Sequence, residues 1–78
     1  MKSILVIGMG RFGTYLAHNL ASMGNQVMVV DKDEDIIERL APHFTDALAG
    51  DCAQEEVLKE IGVNNFDVVF VTMGSSFQ

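Results

Sequence analysis

Cysteine, proline and tryptophan are nearly missing from this chain: of 78 residues one is Cys, one is Pro and none is Trp. A lone Cys52 excludes an internal disulfide, so the fold rests on core packing, and a reducing compartment suits it. Basic residues are scarce too. Five Lys and Arg against eleven Asp and Glu leave a formal charge of −6. That balance excludes the basic footprint a nucleic-acid partner needs, and it disfavours an anionic membrane surface. Long apolar runs are also lacking. Ile4–Ile7 falls far short of the roughly 20 residues of a membrane-spanning helix, and it is too short for a signal peptide. No direct membrane insertion is expected, and any work at a membrane would pass through a partner, from the cytoplasm.

What the chain does have is apolar mass and glycine. It is 49% hydrophobic with seven Gly, which argues for a packed globular domain. The run Gly8-Met9-Gly10-Arg11-Phe12-Gly13 follows Ile4-Leu5-Val6-Ile7 and precedes a helical pattern. A strand, a glycine turn and a helix in that order make a phosphate cradle from backbone. One glycine serves the tight turn, one the close approach of a pyrophosphate, and one the packing of helix on strand. The helix start adds unpaired N–H groups and partial positive charge.

Elsewhere the pattern alternates. Ser3–Ile7 is a continuous apolar run, the mark of a strand in a parallel sheet. Arg11–Met23 has Phe12, Leu16, Leu20 and Met23 at helical spacing beside Ala17 and Ala21, with Gly24 as its stop. Gln26–Val30 reads as a second strand. Asp33 reads as the N-cap of a helix whose apolar face is Ile36, Ile37 and Leu40 and which Pro42 ends. Ala47–Ala49 is a short strand, and a helix from about Ala53 to Ile61 closes at Gly62. Asp67–Thr72 reads as a fourth strand buried on both faces, followed by a Gly74-Ser75-Ser76 loop. Right-handed crossovers then order the parallel sheet 3-2-1-4, with three helices. This is a Rossmann-like, doubly wound α/β fold truncated to about four strands. A full dinucleotide domain has six strands and usually ~130 residues, so residues 1–78 read as the N-terminal part of one. An uncovered fourth strand invites another chain, and low stability alone or tight association is expected.

A ligand site assembles along the strand ends. Asp31 stands 21 residues after Gly10, where an acid accepts hydrogen bonds from a ribose diol. Its alternative is a turn or cap. A carboxylate there repels a 2′-phosphate, favouring NAD, ATP, ADP or AMP over NADP. Lys32 and Asp33 border it, Lys32 reading more readily as solvated and Asp33 as a cap. Asp51 and Cys52, after Gly50, suit an adenine through the Asp51 carboxylate and the Cys52 N–H; alternatively Asp51 only caps a helix. No histidine is placed to make Cys52 a nucleophile. Met73 lines the adenosine pocket or fills core, while Gly74 lets backbone approach. Arg11 opposes the helix dipole, so an adjacent phosphate explains it better than solvent does. His18 and His43 lack partners at metal-ligand spacing and read as surface residues.

The glycine run in its Gly10-Arg11-Phe12-Gly13 form, Asp31 after Val-Met-Val-Val, Gly50-Asp51 before an acidic helix, and Val69-Phe70-Val71-Thr72-Met73-Gly74 together resemble the TrkA-N/KTN (RCK N-terminal) domain of potassium transport systems. The resemblance covers essentially the whole chain. It implies a nucleotide-binding regulatory module taking NAD(H) or ATP/ADP, pairing into homo-oligomers or rings, and acting on a potassium transporter or channel membrane subunit. It assigns phosphates to Gly8–Gly13, ribose to Asp31, and adenosine to Asp51, Cys52, Met73, Gly74 and Ser75. Arg11 would meet a terminal or neighbouring phosphate. The resemblance implies no enzyme. Two alternatives stand beside it: the cofactor-binding start of an NAD-dependent dehydrogenase, and a dimerisation fragment with a vestigial pocket.

Overall fold

Three consecutive residues, Ile4, Leu5 and Val6, are buried, as in a strand covered on both faces. In the computed structural model, which describes residues 1–72, this strand is β1 (Ser3–Ile7). It lies between β2 (Gln26–Asp31) and β4 (Val68–Val71), and β3 (Asp46–Ala49) lies outside β2. All pairings are parallel and the order is β3-β2-β1-β4, as the alternation predicts. Ile7 is level with Val30 and Val71, and Asp31 with Ala49. All four strands therefore end along one edge of the sheet.

The helices divide between the faces. Ile4, Val6, Val27 and Val29 share one face and pack with Met9, Ala17 and Ile37, so α1 (Arg11–Ser22) and α2 (Glu34–Leu40) lie there. Helix α3 (Glu55–Ile61) lies on the other face. There an open groove of about 440 Å³ is lined by Met28, Leu48, Ile61 and Phe66, with Asp46 and Glu60 at its sides. The change of face follows from handedness: the connection after β3 returns across the sheet to β4, so a right-handed crossover puts its helix on the opposite side.

Local chemistry sets the ends of the helices. Asp33 accepts from the N–H groups of Asp35 and Ile36 at 3.0 and 3.3 Å, the cap the sequence predicts for α2. Gly24, with φ +91°, follows α1, and Gly62, with φ +75°, ends α3; both positions require the left-handed backbone that glycine tolerates. Pro42 lies in a single 3₁₀ turn, Ala41–His43, directly after α2.

Three expectations need correction. Phe12 and Met23 do not join the core; they are 62% and 73% exposed. The buried residues of α1 are Gly13 and Ala17, because the helix approaches β1 too closely for larger side chains. Helix α3 begins at Glu55 rather than about Ala53. The Asp51 carboxylate takes the Ala53 N–H at 2.9 Å and the Asp51 carbonyl takes the Gln54 N–H at 3.0 Å, a turn that must finish first. Finally, β4 is not buried on both faces. Val68 and Phe70 are half-buried while Val69 and Val71 are exposed, since seven-residue α3 does not reach over them.

Candidate functional site

The chain leaves β1 through Gly8, whose φ of +95° turns the backbone away from the strand. Its N–H still bonds the Val30 carbonyl at 2.8 Å. An added Cβ at Gly8 would stand 1.9 Å from the Thr72 carbonyl oxygen, and one at Gly13 would stand 1.9 Å from the Gly8 carbonyl oxygen. Two of the three glycines are thus required by close approach of backbone to backbone. Gly10 is the N-cap of α1, in extended conformation and with no side-chain cap. No acidic residue occupies the first turn. The donors of that turn, with their share of the helix dipole, are left to face an anion.

Asp31 ends β2 beside this turn. One carboxylate oxygen accepts the Met9 N–H at 2.7 Å, and the other accepts the Asp33 N–H at 2.9 Å. An ionised carboxylate offers about four acceptor positions, so two remain for hydroxyl groups. The same contact defines what Met9 brings. The residue is 3% exposed and packs in the core under the turn, so it brings support for the turn rather than a side chain to the ligand. Thr14, on α1, donates its hydroxyl to the Met9 carbonyl at 3.1 Å.

The other candidates fall on the same edge or next to it. Arg11 and Phe12 open α1 with exposed side chains. Lys32 is exposed, and the Asp33 carboxylate is engaged at the start of α2. Gly50 donates its N–H to the Asp31 carbonyl at 2.9 Å, which puts Asp51 directly after the β2–β3 pairing. Asp51 and Cys52 are half-buried. Burial pushes the Cys52 thiol above its ordinary value of 9.0, and the Asp51 charge pushes it further the same way. The thiol therefore keeps its proton at neutral pH, which suits a packing or backbone role and not that of a nucleophile. Met73, Gly74 and Ser75 lie outside the described residues.

Two features escape a reading by motif. Thr72 is buried at the end of β4, and its hydroxyl donates to the Gly8 carbonyl at 2.7 Å and the Ile7 carbonyl at 3.1 Å. Sixty-four residues separate Thr72 from Gly8, and no local pattern signals the contact. His18 and His43 are exposed, as expected, yet their rings meet edge to face with centroids 5.7 Å apart, and His18 also touches Phe44. No group of three or more metal-ligating side chains occurs among the described residues. The groove at Met28 and Phe66 lies toward the opposite end of the strands from Gly8 and Asp31, and is not part of this site.

Comparison with known proteins agrees with the fold. The family model of the TrkA-N domain matches residues 4–78. The chain is similar to Ktr system potassium uptake protein C of Bacillus subtilis, 42% identical over 77 residues, covering 99% of this chain and 35% of that protein. Ktr system potassium uptake protein A of the same organism is 35% identical over 77 residues, with 99% and 35% covered. A shorter match joins it to a glycerol-3-phosphate dehydrogenase [NAD(P)+] of Staphylococcus haemolyticus, 46% identical over 43 residues, 55% of this chain and 13% of that enzyme. The chain spans about a third of the length of the Ktr relatives it matches.

Proposed function

The chain belongs to the TrkA-N domain family, and from that premise we propose that it is an adenine-nucleotide-binding regulatory module of a potassium transport system. The observation that carries the nucleotide reading is the 2.7 Å bond from the Met9 N–H to the Asp31 carboxylate. It ties the acid that would hold a ribose to the turn that would hold the phosphates. In this reading Gly8 and Met9 shape the turn, their N–H groups being taken by the Val30 carbonyl and the Asp31 carboxylate, while the backbone of Gly10, Phe12 and Gly13 receives the phosphates and Arg11 meets the outermost one. Asp31 takes the ribose hydroxyls, with Lys32 and Asp33 at its border. Asp51 and Cys52, with Met73, Gly74 and Ser75, surround the adenosine. The ligand is NAD(H) or ATP/ADP, and the charge of Asp31 disfavours NADP.

Such a module needs no catalytic group. A ligand that grips one conformation more tightly shifts the population toward it by its difference in affinity. The change would reach a potassium transporter or channel subunit in the membrane, with the module on the cytoplasmic side and paired with further copies of itself. No helix among the described residues is long and apolar enough to cross a membrane.

Calorimetric titration with NAD, NADH, NADP, ATP, ADP and AMP tests the reading. Micromolar binding of at least one of NAD, NADH, ATP, ADP and AMP, with NADP weakest, is expected. Asp31→Ala should weaken every ligand by tenfold or more, the order of a lost charge-assisted hydrogen bond. Arg11→Ala should weaken ATP more than AMP; equal losses would remove Arg11 from the phosphates, and no binding by any nucleotide would refute the reading. The 43-residue match to a dehydrogenase favours a second reading, the cofactor-binding part of an NAD-dependent enzyme. The glycine turn and Asp31 serve it equally well. Reduction of NAD by a small alcohol substrate would identify it.

A further inference from the structure

We propose that Thr72 is a positioning residue for the phosphate turn: its hydroxyl, delivered by β4, fixes the Gly8 carbonyl and so sets the direction of the donors that follow. The inference rests on the nucleotide reading above. Gly8 has φ +95°, so its peptide is the first to leave the plane of β1, and the Gly8 carbonyl points toward α1 and β4. On the α1 side it meets Gly13, where even a methyl group would stand 1.9 Å away. On the β4 side it receives the Thr72 hydroxyl at 2.7 Å. A hydroxyl carries one proton. The shorter bond to Gly8 is the principal one, and the 3.1 Å approach to the Ile7 carbonyl is its weaker arm. That carbonyl is independently satisfied by the Thr72 N–H at 2.8 Å. The hydroxyl is therefore not needed for the sheet ladder; its distinctive partner is the turn.

Three side chains hold this turn, and they differ in kind. Asp31 holds the Met9 N–H and Thr14 holds the Met9 carbonyl. Thr72 alone comes from β4, and alone acts on the peptide where the direction of the chain changes. Thr72 is 9% exposed and its hydroxyl is used on the Gly8 carbonyl, so its action in this proposal is on the turn. A shift of β4 relative to β1 would be felt first at Gly8 and then by the N–H groups of Gly10 to Gly13.

The test compares T72V, which keeps shape and removes the donor, with T72S, which keeps the donor. Titrations use ADP and adenosine, which differ only in the phosphates. T72V should bind ADP about tenfold more weakly, the factor carried by one ordinary hydrogen bond, and adenosine as the parent chain does. T72S should bind both within about twofold of the parent. Equal losses for ADP and adenosine, an unchanged T72V, or a T72S as impaired as T72V would each overturn the proposal. Amide resonances of Met9 to Gly13 in the ligand-free chain give a readout independent of nucleotide. They should move in T72V and stay in place in T72S; no movement in T72V overturns the clamp. A parent chain that binds no nucleotide would defeat the functional reading and leave the clamp to be judged on those resonances. Should T72V not fold, T72A replaces it with the same expected order. If neither folds while T72S does, the hydroxyl supports the fold as a whole and the proposal fails.

Discussion

At Gly13 one methyl group decides whether α1 can start where it does. An added Cβ would lie 1.9 Å from the Gly8 carbonyl oxygen and 2.6 Å from the Thr72 hydroxyl oxygen, and backbone cannot yield as a flexible side chain does. Gly24 makes the contrast. It also resists substitution, but only through its φ of +91°, since nothing lies within 4 Å of an added Cβ. Gly13→Ala is therefore expected to cost about 3 kcal/mol, at the upper end of overpacking. Gly24→Ala should cost about 1 kcal/mol, the strain of one left-handed residue. Urea unfolding of the two variants measures the difference, and equal costs would refute the packing argument. The glycine spacing made this position legible as the third glycine of a phosphate turn. It did not show Thr72 on the far side of the same contact. A β-branched residue at a strand end reads as strand, and its hydroxyl partner lies 64 residues earlier in the chain.

At the scale of elements, apolar periodicity specified which segments became strands and helices, and polar side chains specified where they began. All four strands and three helices lie where the alternation puts them, in the order β3-β2-β1-β4. The one misread helix start traces to a carboxylate. Asp33 and Asp51 each stand shortly before a helix, but Asp33 caps α2 directly while Asp51 closes a turn that delays α3 to Glu55. The face of α1 was misread for another reason. Helical spacing identifies two candidate stripes, one with Phe12 and one with Gly13 and Ala17, and only the distance to β1 selects the second. The two roles suggested for Asp33 can be separated. Asp33→Ala should lower stability by about 1 kcal/mol in urea, the usual worth of an N-cap, while ADP affinity stays within about twofold. An affinity loss as large as that of Asp31→Ala would instead put Asp33 against the ligand.

For the whole molecule the question is what covers its remaining apolar surface. A chain of 78 residues buries only about 60% of its unfolded surface when folded alone. Here Phe12, Tyr15 and Met23 on and beside α1 are exposed, and so are Val69 and Val71 on β4. Among the described residues β4 pairs only with β1, leaving its other edge open. An open strand with apolar side chains on one face is a template for another chain, and Val71, at 63% exposure, is its most accessible point. The opposing term is charge: at −6, copies of the chain repel at long range, and salt screens that repulsion within about 10 Å at 0.1 M. Association should therefore strengthen as salt rises, the reverse of an interface held by ion pairs. Sedimentation velocity from low to high micromolar concentration is expected to show a concentration-dependent dimer or larger species, more of it at 0.5 M than at 0.05 M salt. Val71→Asp removes apolar area and adds like charge at the same point. Each copy would then forgo about 1.5 kcal/mol or more of burial, enough to weaken association by at least about tenfold. A chain that stays monomeric and cooperatively folded throughout that range would show that the apolar edge of β4 is tolerated in water.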